Sequence, residues 1–354
     1  MVIVMSPQAA EGDLAEVVRY VEAAGGSAFV SRGISRTIVG VIGDDDVLES
    51  LDLVRLPGVG EVVRITSPYK LVSSENHQRT STVSVSGVPI GPDTFTLIAG
   101  PCAVESAEQT LECALMARRA GATLLRGGAY KPRTSPYAFQ GLGVAGLKIL
   151  ADVRAETGMP VVTEIVDAAD IDVVCEYADM LQVGTRNMQN FALLQAVGSA
   201  GKPVLLKRGL SASYEEWLMA AEYIAQRGNL DIVLCERGIR TSETATRNTL
   251  DISAVPMMHS LSHLPVIVDP SHAAGRRDLV VPLARAGMAA GADGVIVDVH
   301  PRPEQALCDG AQALQGATLD ELTVAVATIP PLLGRVLAPR VGETEAAPPV
   351  VSQR

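Results

Sequence analysis

From residue 95 to residue 300 the chain repeats one rhythm: a short, nearly continuous apolar run, a few turn residues, then a stretch with helical spacing of its apolar positions. Eight runs follow this pattern, FTLIAG, ATLLRGG, PVVTE, MLQVG, PVLLKRG, DIVLCERG, PVIVDP and GVIVDVH. Strands that are apolar on both faces and alternate with helices belong to a parallel sheet covered by helices, and eight such units close naturally into a barrel. The expected fold class is therefore α/β, a (β/α)8 TIM barrel over residues 94–338. An open doubly wound sheet is the alternative, weakened because no glycine-rich dinucleotide turn follows the first run.

Residues 1–66 are patterned differently. VIVM, the amphipathic stretch from Asp13 to Ala24, SAFVS, RTIVGVI, a short poorly defined segment and EVVRIT read in order as βαββαβ, a small α+β ferredoxin-like domain. No residue in it has a chemical signature, so a stabilising extension and a ligand-binding module stand level. Residues 67–93, rich in Ser, Thr, Gly and Pro, read as a linker ending in a hairpin around STVSVSGVPIG. Residues 339–354, which contain VGETEAAPPVVSQR, have the composition of a disordered tail.

Composition narrows the function. A chain of 354 residues with 47% hydrophobic content can bury a full core and two domains. No run approaches the roughly 20 apolar residues of a membrane span, and MVIVMSPQAAEGD lacks the order of a signal peptide, so the expected location is the cytoplasm. The five cysteines (Cys102, Cys113, Cys175, Cys235, Cys308) show no CxxC spacing, which argues against a disulfide framework or zinc ribbon. A net charge of -11 excludes nucleic acid and anionic membrane as natural partners. An anionic substrate then requires positive charge gathered in one place.

Barrel enzymes carry their chemistry at the C-terminal ends of the strands. The residues closing the eight runs are Cys102; Arg126 and Lys131; Glu164; Arg186; Lys207 and Arg208; Glu236 and Arg237; Asp269 and His272; Asp298 and His300. Taken singly, a Lys or Arg near a strand end is an ordinary solvated charge. Together they define a cationic rim suited to substrates carrying a carboxylate and phosphates, with arginine supplying flat bidentate forks and lysine a point charge. A second set, Cys102, His272, Asp298 and Asp309, mixes thiolate, imidazole and carboxylate, which suits manganese, iron, cobalt or zinc better than magnesium. The first and eighth strands adjoin in a closed barrel, so sequence distance does not forbid it. Any one of these residues alone reads more simply as a small buried side chain.

The motifs AGPCAVES (99–106), LRGGAYKPRTSPYAFQGLG (125–143), TEI (163–165), GTRNMQN (184–190), LLKRG (205–209), LCERGIRTSETATRNTLDISAVP (234–256), DPSHAAGRRD (269–278) and VHPRPEQALCDG (299–310) resemble the 3-deoxy-D-arabino-heptulosonate 7-phosphate (DAHP) synthases. The likeness is to the microbial subgroup with an N-terminal ferredoxin-like domain, over about residues 1 to 335. It implies condensation of phosphoenolpyruvate with D-erythrose 4-phosphate, the first step of the shikimate pathway. It also implies metal ligation by Cys102, His272 and Asp309, with Asp298 at the remaining ligand position. Arg126, Lys131 and Lys207 match groups around the phosphoenolpyruvate carboxylate and bridging region, and Arg186 and Arg237 its phosphate grip. Pro132, Arg133, Thr134 and Ser135 match the erythrose 4-phosphate site, and Lys131, Glu164 and His272 are the residues implied in catalysis. Two positions depart from the family: Asp298 stands where glutamate is usual and Thr185 where alanine is usual. A carboxylate one methylene shorter strains a site whose distances tolerate only about 0.2 Å.

The resemblance further implies an aromatic amino-acid effector at the N-terminal domain and a homo-oligomer, commonly a tetramer. Three rivals frame the reading. The related eight-carbon synthase, which uses arabinose 5-phosphate, is disfavoured by KPRTS at 131–135. A Schiff-base aldolase with Lys131 or Lys207 as nucleophile would be insensitive to chelators. A non-catalytic sensor is disfavoured by the full set of cations. His259 and His263 read as structural, Trp217 as packing a helix onto the barrel, and His300 either as orienting Asp298 or as capping a strand end.

Overall fold

The computed structural model describes the chain apart from residues 33–36, 45, 46, 48, 49, 64–66, 78, 134 and 342–354. Thr134, most of the expected tail and parts of the expected segments near 33–36 and 64–66 thus lie outside the described residues.

Near the N-terminus, strands β1 (Val2–Met5), β2 (Ser27–Arg32), β3 (Thr37–Ile42) and β4 (Val59–Val63) form an antiparallel sheet in the order β2-β3-β1-β4, with helix α1 (Glu11–Ala23) between β1 and β2. The two-residue period of β1 divides its side chains between two cores. Ile3 and Met5 meet Leu14, Val17 and Val21 of α1, whereas Val2 and Val4 join Tyr69, Leu71 and Val72 in the core that surrounds the barrel. The half-buried Glu222 accepts the backbone N–H groups of Leu71 (2.9 Å) and Val72 (3.1 Å), fixing the crossing chain to a barrel helix.

A short hairpin, β5 (Val83–Val85) and β6 (Val88–Ile90), precedes the barrel. Within the stretch read from sequence as a linker, it does more than connect. Val83, Val85, Val88 and Ile90 are all buried against Ile98, Leu124, Val162, Leu205 and Ile296, the interior-facing residues of the barrel. The hairpin plugs the end where the strands begin: the Thr96 hydroxyl donates to Pro89 O (2.7 Å) and Ser86 to Asp179 (2.8 Å).

Eight parallel strands follow: β7 (Thr94–Gly100), β8 (Leu124–Arg126), β9 (Val161–Ile165), β10 (Met180–Val183), β11 (Val204–Lys207), β12 (Ile232–Glu236), β13 (Val266–Val268) and β14 (Gly294–Asp298). Pairing of β14 with β7, Asp298 opposite Gly100, closes the barrel. This is the α/β barrel behind a ferredoxin-like domain that the hydrophobic pattern predicts. Alternate residues face the helices (Leu97, Leu125, Leu181, Leu206, Leu234, Val266) or the interior (Ile98, Leu124, Met180, Leu205, Val233, Ile267). The fully buried Trp217 seats helix Tyr214–Ala225 on the barrel, its indole N–H donating to Leu206 O (3.3 Å). No described helix is long and apolar enough to cross a membrane.

The interior period also places the chemistry. On six of the eight strands the residue two beyond the apolar interior side chain, at the C-terminal end, is polar: Arg126 after Leu124, Glu164 after Val162, Gln182 after Met180, Lys207 after Leu205, Asp269 after Ile267 and Asp298 after Ile296. The barrel is thus filled by an apolar layer below and a polar, mostly charged layer above.

Candidate active site

Over that charged layer opens a cavity of about 530 Å³. Its lining includes Arg126, Lys131, Arg133, Arg186, Lys207, Arg237, Arg240 and Arg247, against only two carboxylates, Glu164 and Asp309. The acidic protein therefore does concentrate positive charge in one place, and such a cavity focuses its field on anions. Pro132, Ser135 and Thr185 also line it.

Of the strand-end cations, Arg237 is the most telling. It is buried, and among the described residues no carboxylate lies within ion-pair distance of it. Its Nη1 lies 3.1 Å from the Asn248 side-chain oxygen once that amide is turned to satisfy its neighbours. Burial holds its guanidinium below the ordinary arginine range. A buried cation without a counter-charge is costly unless an anion arrives.

Its counterpart on the preceding strand behaves oppositely. Arg208, which the run-ending rule placed on the rim, does not line the cavity. It pairs with Glu236 (2.9 Å) and Asp251 (2.8 Å), and its guanidinium lies 4.6 Å from the centre of the Tyr214 ring. Glu236 is consumed in the same cluster, also accepting the Gly238 N–H (2.6 Å).

Lys207 is 2.5 Å from Asp269, whose same oxygen is 2.8 Å from His272 Nδ1. Burial would raise the Asp269 carboxyl, but His272 and Lys207 outweigh it and hold it well below the usual range. Burial would likewise depress the His272 imidazolium, yet Asp269 and Asp298 lift it to about 9. Carboxylate contact at Nδ1 orients the ring so that Nε2 faces the cluster beyond.

In that cluster Cys102 Sγ lies 3.8 Å from His272 Nε2, 3.3 Å from Asp309 Oδ2 and 3.6 Å from Cys308 Sγ. His272 Nε2 is 3.6 Å from Asp298 Oδ2 and 3.9 Å from Asp309 Oδ2. Two metal bonds of about 2.0–2.3 Å meeting near the tetrahedral angle put neighbouring donor atoms roughly 3.3–3.8 Å apart. All of these separations but the 3.9 Å one fall in that range, so the residues present offer donors at spacings that suit a divalent ion. Asp309 reaches the cluster from a left-handed backbone conformation (φ 53°) at the start of a short turn. Burial opposes its ionisation, but His272 and Arg247 (3.2 Å) keep its carboxyl low. Lys131 Nζ stands 3.2 Å from Cys102 Sγ, a positive charge beside the thiol. Contact with Cys308, then burial, pushes Cys102 well above the ordinary thiol range, and the same contact holds Cys308 below it.

Asp298, the departure noted in the sequence, is tied at both oxygens, by Arg126 (3.0 Å) and by the Gln312 amide (2.5 Å). Its backbone N–H donates to Ser271 (3.1 Å). His300 does not orient it; that ring faces Glu105 (3.5 Å) and accepts the Arg302 N–H (3.0 Å). Glu164 is held by Gln182 (3.3 Å), and a Cβ on Gly184 would come within 1.9 Å of its Oε1, so only glycine leaves the carboxylate its place. Arg186 Nη1 donates to Pro132 O (3.3 Å), and Arg133 Nη1 reaches Cys308 Sγ (2.9 Å). His259 pairs with Asp293 (2.9 Å) and His263 stacks on His77, and neither lines the cavity.

Sequence reasoning missed Gln182, Arg240, Arg247, Asn248, Cys308 and Gln312 at this site. The interior period of β10 would have yielded Gln182; the others stand in loops where no local period operates.

Comparison with known proteins bears on what this site does. Residues 72–330 match the model described as the DAHP synthetase I family, and residues 1–67 that of the DAHP synthase ferredoxin-like domain. A phospho-2-dehydro-3-deoxyheptonate aldolase from Thermotoga maritima is 51% identical over 339 residues, covering 94% of this chain and 99% of the relative. A crystal structure of phospho-2-dehydro-3-deoxyheptonate aldolase (DAHP synthase) from the same organism superposes with a TM-score of 0.75 at 50% identity, covering 95% of this chain and 98% of the other. A 2-dehydro-3-deoxyphosphooctonate aldolase from Syntrophotalea carbinolica is more distant, 35% identical over 252 residues, or 66% of this chain and 90% of the relative.

Proposed function

Since this chain belongs to the DAHP synthetase I family, we propose that the cationic cavity at the strand ends is where its two phosphorylated substrates are held and joined. The reaction is the condensation of phosphoenolpyruvate with D-erythrose 4-phosphate and water to DAHP and phosphate, the first step of the shikimate pathway. The observation that carries the site is Arg237, a buried guanidinium without an ionic partner among the described residues, facing a cavity lined by other cations.

In this reading Arg186 and Arg237 grip the phosphoenolpyruvate phosphate, and Arg126, Lys131 and Lys207 meet its carboxylate and bridging oxygen. Arg133, Ser135 and Thr134, the last outside the described residues, receive the phosphate of erythrose 4-phosphate. Cys102, His272, Asp298 and Asp309 would hold a divalent ion, manganese, iron, cobalt or zinc, which polarises the aldehyde oxygen when bound. The enol C3 of phosphoenolpyruvate forms the new carbon–carbon bond, leaving C2 electron-poor. Glu164, held by Gln182, and Lys131 direct water onto C2, and phosphate leaves with cleavage of its C2–O bond. The arginines hold two mutually repelling anions in register, which is catalysis by positioning and preorganised charge.

A homotetramer, an aromatic amino-acid effector acting through the N-terminal domain and a cytoplasmic location complete the reading. Exposed apolar residues on that domain, Ile42 and Val54, support its use as a contact surface. Phosphoenolpyruvate consumption is the test, with erythrose 4-phosphate or arabinose 5-phosphate, each with EDTA and after adding back manganese. Activity confined to erythrose 4-phosphate, lost with EDTA and restored by metal, is expected; activity with arabinose 5-phosphate alone, or indifferent to EDTA, would overturn it.

A further inference from the structure

The four proposed ligands do not exhaust the donors at the cluster. Cys308 is buried beside them, its Sγ 3.6 Å from Cys102 Sγ and 3.5 Å from Asp309 Oδ2. Together with the 3.3 Å between Cys102 and Asp309, these separations form a closed triangle of donor atoms. Each edge lies within the roughly 3.3–3.8 Å expected of neighbouring ligands on one ion. Two donor triads of this cluster, Cys102–His272–Asp298 and Cys102–Cys308–Asp309, share Cys102. The carboxylate of the first set is the one already engaged at both oxygens, by Arg126 and Gln312. Among the described residues, the remaining close contact of the Cys308 sulfur is Arg133 Nη1 at 2.9 Å, from the side-chain tip of a residue lining the cavity.

We propose that Cys308 is an additional thiolate ligand of the divalent metal, giving this site two sulfur donors and a preference for thiophilic ions such as zinc, cobalt and cadmium over manganese. The inference rests on the metal-centre reading above and adds to it a donor and a selectivity. Soft thiolates favour such ions, whereas a site richer in carboxylate and imidazole accommodates manganese. Ligation releases the thiol proton to solvent, and the metal–sulfur bond replaces the Cys102–Cys308 contact. Asp309, next to Cys308 in the chain, adopts a left-handed backbone conformation (φ 53°), and the two side chains meet at 3.5 Å.

The full-length protein, reduced with a phosphine and loaded with Co2+, gives a direct readout in its sulfur-to-cobalt charge-transfer absorption. With two thiolates bound, Cys308→Ser and Cys308→Ala should each lower that absorption per cobalt to about half that of the parent, and Cys102→Ser should do the same. Competition titrations should show the preference for cadmium over manganese falling on the order of ten-fold or more in Cys308→Ser. Undiminished absorption per cobalt in both Cys308 variants, with unchanged metal preference, would overturn the inference while leaving the metal centre standing. A parent protein that binds no cobalt at the cluster would overturn both readings.

Discussion

Replacing Arg208 by leucine tests whether a cation at a strand end serves the substrate or the fold. Its Nη1 contacts Glu236 at 2.9 Å and Asp251 at 2.8 Å, and its Nε donates to Ala212 O at 3.0 Å. Glu236 is wholly buried, and without Arg208 it keeps only backbone donors, chiefly Gly238 N–H at 2.6 Å. Removing one member of a buried ion pair costs about 3–5 kcal/mol, because the other charge is stranded. For a barrel of this size that corresponds to a fall in Tm of roughly 6–20 °C. Adding Glu236→Gln removes the stranded charge, so the double variant should regain part of the loss. Thermal unfolding of the parent, Arg208→Leu and the double variant measures this, with steady-state kinetics on whatever folds. KM for phosphoenolpyruvate should stay at the parent's value, since Arg208 does not line the cavity. An Arg208→Leu protein with unchanged Tm and a large rise in KM would refute the reasoning and return Arg208 to the substrate.

Arg237→Ala should show the reverse: the loss of a charged hydrogen bond worth about 1.5–3 kcal/mol raises KM for phosphoenolpyruvate roughly 10- to 150-fold, while urea unfolding shows no loss of stability. Glu164→Gln should lower kcat with little change in KM for either substrate, as steady-state kinetics would show, if the carboxylate serves the water and not the anions. His263 predicts a pH effect on stability. Burial first, then charge repulsion from the neighbouring His77, depresses its imidazole to about 3 from an ordinary 6.5, with Nε2 3.1 Å from Leu71 O and Nδ1 2.8 Å from the Ser81 hydroxyl. The unfolded chain therefore binds the extra proton between those values, so this contribution is whole above pH 6.5 and shrinks by about 1.4 kcal/mol per unit as pH falls toward 3. Urea unfolding between pH 7 and 5 should show that slope in the parent and its reduction in His263→Gln; equal slopes would count against it.

The sequence by itself determined the barrel, because a strand's burial on both faces is written in consecutive residues, and it determined which residues end each strand, because the apolar run stops there. It brought Cys102, His272, Asp298 and Asp309 to one place on the strength of barrel closure and family motifs. Tertiary structure alone decided which of two strand-end arginines is neutralised: Arg208 meets Glu236 and Asp251, and Arg237 meets no carboxylate among the described residues, although both follow the same local rule. It also turned the hairpin at 83–90 into a plug, tied Asp298 to Gln312, and set Cys308 beside Cys102 across 206 residues. The reason is range. Strand and helix periods depend on neighbours a few positions away, whereas an ion pair or a metal site depends on distances of a few ångströms between residues that only the closed barrel brings together.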